Sequence, residues 1–113
     1  MHELSIALSM IEQAEQAAAP HPGAVRAIRA RIGVLSGVDA EALRFAWEIA
    51  RAGTRFEAAQ LHIESVPLLV RCPACGVSHP AEIGSIACPR CITPEQQILA
   101  GRELELASLE IDE

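Results

Sequence analysis

Four cysteines stand in two pairs, Cys72-Pro73-Ala74-Cys75 and Cys88-Pro89-Arg90-Cys91, with twelve residues between the pairs. Two residues between sulfurs let one tight turn aim both thiolates at a single ion, and a second such turn completes a tetrahedron. Zn²⁺ favours this donor set, because it imposes no geometry of its own and binds thiolate well. Iron in the same sulfur cage meets the same demands. Disulfides would need an oxidising compartment, and the first residues lack the basic-then-apolar pattern of an export leader, so the chain reads as cytoplasmic. Four thiolates leave no open position, so a structural rather than a catalytic zinc is expected at Cys72, Cys75, Cys88 and Cys91. His79, between the pairs, reads either as a solvated loop histidine or as a spare ligand that replaces a thiolate as pH falls.

The second candidate is Met1-His2-Glu3. Methionine removal normally requires a small second residue, so His2 should stay second. The Met1 amine, the deprotonated backbone nitrogen of His2 and its imidazole can then close fused chelate rings on one ion. Glu3 adds another backbone nitrogen and a carboxylate. Nitrogen-rich tetragonal ligation of this kind suits Ni(II) or Cu(II). The bland reading of the same tripeptide is a frayed terminus.

Composition removes several other chemistries. The chain has 113 residues, and all nine of its basic residues are Arg. Without Lys there is no Schiff base and no phosphate-loop lysine, so the chain is no standard nucleotide hydrolase. No Ser/His/Asp set or open zinc site suggests any other enzyme. A formal net charge of −6 offers no field for collecting phosphates, which argues against nucleic acid as a partner. No apolar run approaches the roughly 20 residues that span a bilayer.

These residues need elements to hold them. The spacing of Leu4, Leu8, Ile11, Ala14 and Ala18 predicts a helix over residues 3–19, ended by Pro20-His21-Pro22-Gly23. Ile28, Ala30, Ile32 and Val34 alternate with Arg29, Arg31 and Gly33, which predicts a strand over 24–34. Asp39 is placed to cap a second helix with the stripe Leu43, Ala46, Trp47 and Ala50, and Gly53 to stop it. Strands are expected at 59–66 and 102–111. The apolar parity changes between Leu104/Leu106 and Leu109/Ile111, so a β-bulge is expected near Ala107-Ser108. His21, between prolines, and His62, on a strand's polar face, read as solvated. The whole is an α+β chain: a small three-stranded sheet with two helices, formed by residues 1–67 and 98–113. Residues 68–97 form an inserted zinc-binding subdomain too short to fold on its own core. Two functions fit these residues: a metal carrier, which leads, and as the alternative a zinc-ribbon adaptor for protein interaction.

The chain resembles the hydrogenase maturation factor HypA family of nickel metallochaperones over nearly its whole length. The resemblance rests on Met1-His2-Glu3-Leu4-Ser5-Ile6, on Ile32-Gly33-Val34-Leu35-Ser36-Gly37-Val38, and on Glu41-Ala42-Leu43-Arg44-Phe45-Ala46. The two C-x-x-C pairs and Ala100-Gly101-Arg102-Glu103-Leu104 complete it. Val34 departs from the pattern where an acidic residue is common, and Ile92 where a small or polar residue often follows the last Cys. The resemblance implies an α/β nickel-binding domain with a zinc-ribbon insert, and nickel held by Met1, His2 and the neighbourhood of Glu3. It also implies delivery to the large subunit of a [NiFe]-hydrogenase with a HypB-type GTPase, and in some organisms service to urease maturation. A chain without a phosphate loop would take its energy switch from such a GTPase.

Overall fold

The computed structural model describes residues 2–112. Two helices and six strands follow in the order α1 (His2–Ala18), β1 (Ala24–Gly33), α2 (Ala40–Ala50), β2 (Gln60–Val66), β3 (Leu69–Arg71), β4 (Ser78–Pro80), β5 (Gln97–Ala100) and β6 (Leu104–Asp112). They divide into two compact units. One comprises residues up to Arg31, Val38–Glu64 and those from Glu105 on; the other comprises Ile32–Gly37 and Ser65–Leu104.

In the first unit α1 packs on α2. The buried stripe of α1 is Ala7, Met10, Ile11, Ala14 and Ala18. This corrects the expected stripe by part of a turn: Leu8 is 52% exposed. Ala7, Ala14 and Ala18 have almost no side chain to keep a second helix away, and the inward face contains these small residues. The α2 stripe falls as expected, with Leu43, Ala46, Trp47 and Ala50 buried. The Asp39 carboxylate accepts from the amides of Glu41 (2.9 Å) and Ala42 (3.3 Å), two donors that the helix itself leaves unpaired.

Two arginines tie loop backbone to these helices. Trp47 Nε1 and Arg51 Nη1 both donate to the Ala59 carbonyl, at 3.1 and 2.9 Å. Arg55 donates to the carbonyls of Ala18 (2.9 Å), His21 and Gly23 (2.9 Å). α1 has no basic residue in its own last turn, and Arg55 supplies the positive charge that its C-terminal carbonyls favour.

The larger sheet has the order β2-β1-β6. Arg31 Nε meets Glu64 Oε2 of β2 at 2.9 Å and its Nη1 meets Glu105 Oε1 of β6 at 3.2 Å. These exposed pairs contribute roughly 0–1 kcal/mol each, so they help fix register more than stability. Burial along β1 changes parity: Val25 and Ala27 are buried, then Ile28, Ala30 and Ile32. Val34 lies beyond the strand and is exposed, contrary to the simple alternation expected of it. In β6 the half-buried positions are Leu106, Leu109 and Ile111, the parity change that the spacing of its leucines requires.

The second unit contains three strands that the spacing of apolar residues does not predict. β3 pairs antiparallel with both β4 and β5, in the order β4-β3-β5. Strands of three or four residues show too little alternation to be read from spacing. Ile32, Val66, Leu68 and Val70 form the apolar core of this unit, together with Cys72 and Cys88. The unit is wider than residues 68–97, because Ile32–Gly37 is bonded into it. Gly33 N donates to Glu103 O (2.7 Å), Val34 N to Val66 O (3.0 Å) and Leu35 N to Gly101 O (2.7 Å). A Cβ on Gly33 would sit 2.1 Å from the Gly101 carbonyl oxygen, so no other residue fits there without moving backbone.

Candidate metal centre

Each C-x-x-C pair is folded by the same pair of backbone bonds. In the first knuckle Gly76 N donates to Cys72 O and Cys72 N to Val77 O, both at 2.8 Å. In the second, Ile92 N donates to Cys88 O at 2.8 Å and Cys88 N to Thr93 O at 3.0 Å. The chain leaves each knuckle through a left-handed residue, Gly76 (φ +77°) or Ile92 (φ +61°). Gly76 takes this conformation freely. Ile92 is the only non-glycine residue with positive φ among the described residues, so the second turn is the less ideal of the two.

The Ile92 side chain is 78% exposed, so it gains little from packing. A left-handed L-residue costs roughly 1–2 kcal/mol, and a glycine's added freedom in the unfolded chain returns about 0.5–1 kcal/mol of that. Ile92→Gly is therefore expected to stabilise the zinc-loaded second unit by about 1 kcal/mol. Chemical denaturation read at that unit checks it; a lower midpoint would contradict the strain.

The knuckles bring the four sulfurs within 4.8 Å of one another. Cys72 and Cys91 Sγ lie 3.4 Å apart, and Cys75 and Cys88 Sγ 3.7 Å apart. A tetrahedron with metal–sulfur bonds of about 2.3 Å has edges of about 3.8 Å, so the cluster fits a thiophilic ion. The cysteines are free thiols, two buried and two exposed. Amides of the knuckles pre-organise the anions. The backbone N–H of Cys75 first, then Cys91 Sγ and the N–H of Ala74, outweigh desolvation and hold Cys72 down to about 6. The N–H of Cys91 outweighs desolvation to lower Cys88 as well, with Arg90 N–H adding to it. Cys75 receives the N–H of Val77, but desolvation and three neighbouring sulfurs push it up to about 11. Four thiols this close cannot all ionise until a cation joins them.

His79 does not enter the cluster. Its Nε2 faces Gln96 Oε1 at 3.3 Å, and its Nδ1 faces the Pro80 carbonyl at 3.0 Å. Among the described residues these four cysteines are the only group of three or more His, Cys, Asp or Glu that could hold an ion. Thr93 and Gln96 are not marked by any motif; the only signal was a hydroxyl two residues after Cys91, which by itself is common.

At the other candidate, Met1 lies outside the described residues. His2 and Glu3 open α1, with His2 Nε2 3.4 Å from Glu3 Oε2 and side-chain exposures of 58% and 17%. His21 and His62 are exposed, far from either role.

Comparison with known proteins decides the family. The sequence profile described as "Hydrogenase/urease nickel incorporation, metallochaperone, hypA" matches residues 1–111. A protein named hydrogenase maturation factor HypA from Roseiflexus sp. (strain RS-1) is 47% identical, over 100% of this chain and 94% of its own. The chain belongs to the HypA family. A HypA from Synechococcus elongatus is 42% identical over 98% of this chain and 99% of its own. A solution structure of a HypA protein superposes with a TM-score of 0.72 at 26% identity, covering 98% of this chain and 96% of that one. That of the nickel metallochaperone HypA from Helicobacter pylori superposes at 0.68, with 24% identity and 96% coverage of each chain, a likeness of fold. This chain, with two helices, two small sheets and a four-cysteine cluster, thus shares its fold with these HypA structures. The family is one of metallochaperones for hydrogenase maturation rather than catalysts.

Proposed function

We propose that this chain takes up Ni(II) through Met1, His2 and Glu3 and hands it on for [NiFe]-hydrogenase maturation, while Cys72, Cys75, Cys88 and Cys91 hold a resident zinc. The observation that carries the nickel reading is the pairing of His2 with Glu3 on the first turn of α1. The first four amides of a helix have no intrahelical acceptor, so the His2 nitrogen is free to exchange its proton for a metal. The His2 imidazole is exposed enough to receive an ion and to give it up. The Glu3 carboxylate offsets the positive end of the helix dipole, which would otherwise repel a cation.

The acceptor is the hydrogenase large subunit, in the cytoplasm, with a HypB-type GTPase as the energy source that an Arg-only, Lys-free chain lacks. Urease maturation proteins are a second destination, since the family profile names both enzymes. Among the described residues no helix is long and apolar enough to cross a membrane.

Metal stoichiometry tests the reading. Equilibrium dialysis of the full chain is expected to give one zinc that survives dialysis and one nickel that exchanges. One zinc and no nickel would instead support the zinc-ribbon adaptor, a protein-interaction module without a delivery role.

A further inference from the structure

The two exposed sulfurs are held differently. Cys91 Sγ has the Thr93 hydroxyl 3.0 Å away, whereas the nearest sulfur partner of Cys75 is another cysteine, Cys88, at 3.7 Å. When Cys91 is ionised as a ligand it has no proton to give, so the hydroxyl must donate. Thr93 is itself fastened twice. Its carbonyl accepts from Cys88 N inside the knuckle (3.0 Å) and from Gln96 Nε2 outside it (2.9 Å). Gln96 Nε2 also donates to the Glu95 carbonyl at 2.9 Å, and this orientation leaves Oε1 facing His79 Nε2 at 3.3 Å. His79 stands opposite Val70 in the β3–β4 ladder. A strap thus runs from the sheet through His79 and Gln96 to Thr93, and ends on the sulfur of one ligand. Thr93, Gln96 and His79 are all half-buried, and the bonds from Gln96 to Thr93 and to His79 are partly shielded from competing water.

We propose that Thr93, fixed by the Gln96–His79 strap, is a positioning residue for the metal ligand Cys91. The hydroxyl neutralises part of the charge on an exposed sulfur of an anionic four-thiolate site, and the strap holds that sulfur in place on the metal. Groups that orient a metal ligand in this way commonly change affinity by about 10–100-fold when removed. The inference rests on the reading of the four cysteines as a zinc site.

The test compares Thr93→Val, which keeps the shape and loses the hydroxyl, with Thr93→Ser, which keeps the hydroxyl. Zinc affinity of the full chain is measured by competition with a chromophoric chelator. Alkylation of the zinc-loaded chain by iodoacetamide is followed at each cysteine by mass spectrometry. Thr93→Val is expected to bind zinc about 10-fold or more weakly and to expose Cys91, but not Cys75, to faster alkylation. Thr93→Ser should restore both, and Gln96→Leu should shift both in the direction of Thr93→Val. Equal loss in the Val and Ser variants, or wild-type affinity and Cys91 labelling in Thr93→Val, overturns the positioning role. Wild-type behaviour of Gln96→Leu overturns the strap. A wild-type chain that takes up no zinc defeats the zinc reading itself, an outcome distinct from one zinc bound with the Thr93 variants unchanged.

Discussion

His2→Ala is expected to leave a folded chain that keeps its zinc and takes up no measurable nickel. The imidazole closes one of the fused rings with the backbone nitrogen and the amine. Without it the amine, backbone nitrogens and the Glu3 carboxylate remain, a set too poor to displace water from Ni(II) at neutral pH. A loss of at least about 100-fold in affinity, or roughly 2.8 kcal/mol, is the lower bound for removing such a donor. The fold should not notice. The His2 side chain pairs with its neighbour Glu3, and the ring is largely exposed. Changes at such positions alter stability by about 0.5 kcal/mol or less. Acetylating the amino terminus should weaken nickel binding in the same way, because it removes the amine lone pair while leaving His2 in place. Nickel titration of the three proteins, with zinc content measured alongside, checks both. Undiminished nickel affinity in His2→Ala would refute the site.

Cys72→Ser should have the largest effect on structure. Cys72 is wholly buried and its sulfur is the one the knuckle amides favour most as an anion. Three thiolates and a serine hydroxyl hold zinc poorly. The second unit has little else to fold on, with Ile32, Val66, Leu68 and Val70 as its apolar core. Structural zinc contributes apparent free energies of about 10–16 kcal/mol in small zinc-finger peptides, far more than such a core supplies. Hydrogen exchange should therefore show β3, β4 and β5 unprotected in Cys72→Ser, with α1 and α2 still protected. Removal of zinc from the wild type by a strong chelator should reproduce the pattern. Protected β3–β5 amides after either treatment would show that the metal is dispensable to the fold.

Acidity should act through the same sulfurs. Protons compete with the metal for each thiolate. In the folded site Cys75, raised to about 11, keeps its proton at neutral pH until zinc displaces it. Cys72, lowered to about 6, is already mostly ionised there and costs the metal nothing. Below about pH 6 Cys72 is protonated too, so one more proton must leave on binding. Zinc affinity is expected to fall as pH falls, and more steeply below that point. Chelator competition across the range measures the slope, and a slope that stays constant through pH 6 would contradict the lowered Cys72.

Much of this is legible in the residues because it is local. Asp39 caps α2 because a short carboxylate two and three residues ahead of free amides can reach nothing better. Trp47 and its stripe are inward because one helical face has to be. Gly76 and Ile92 can be compared by position alone because both follow a C-x-x-C turn. Other features are hidden because they depend on what lies across from them. Leu8 reads as core by spacing, yet the face that turns inward is the one with small alanines. β3, β4 and β5 are too short to show a period, and they exist because they pair with each other.

The sequence by itself marks the two candidate metal sites. Cysteine spacing sets how two thiolates leave one turn, and the order Met1-His2-Glu3 sets which nitrogens share a chelate ring; both are properties of adjacent covalent bonds. Tertiary structure alone decided what surrounds them. Gly33 must be glycine because the Gly101 carbonyl, far along the chain, occupies the place of a side chain. Gln96, whose side-chain amide holds the Thr93 carbonyl, faces His79 of β4, seventeen residues away in the chain. Contacts of that kind join residues that chain connectivity leaves independent, and only the packed fold brings them within bonding distance.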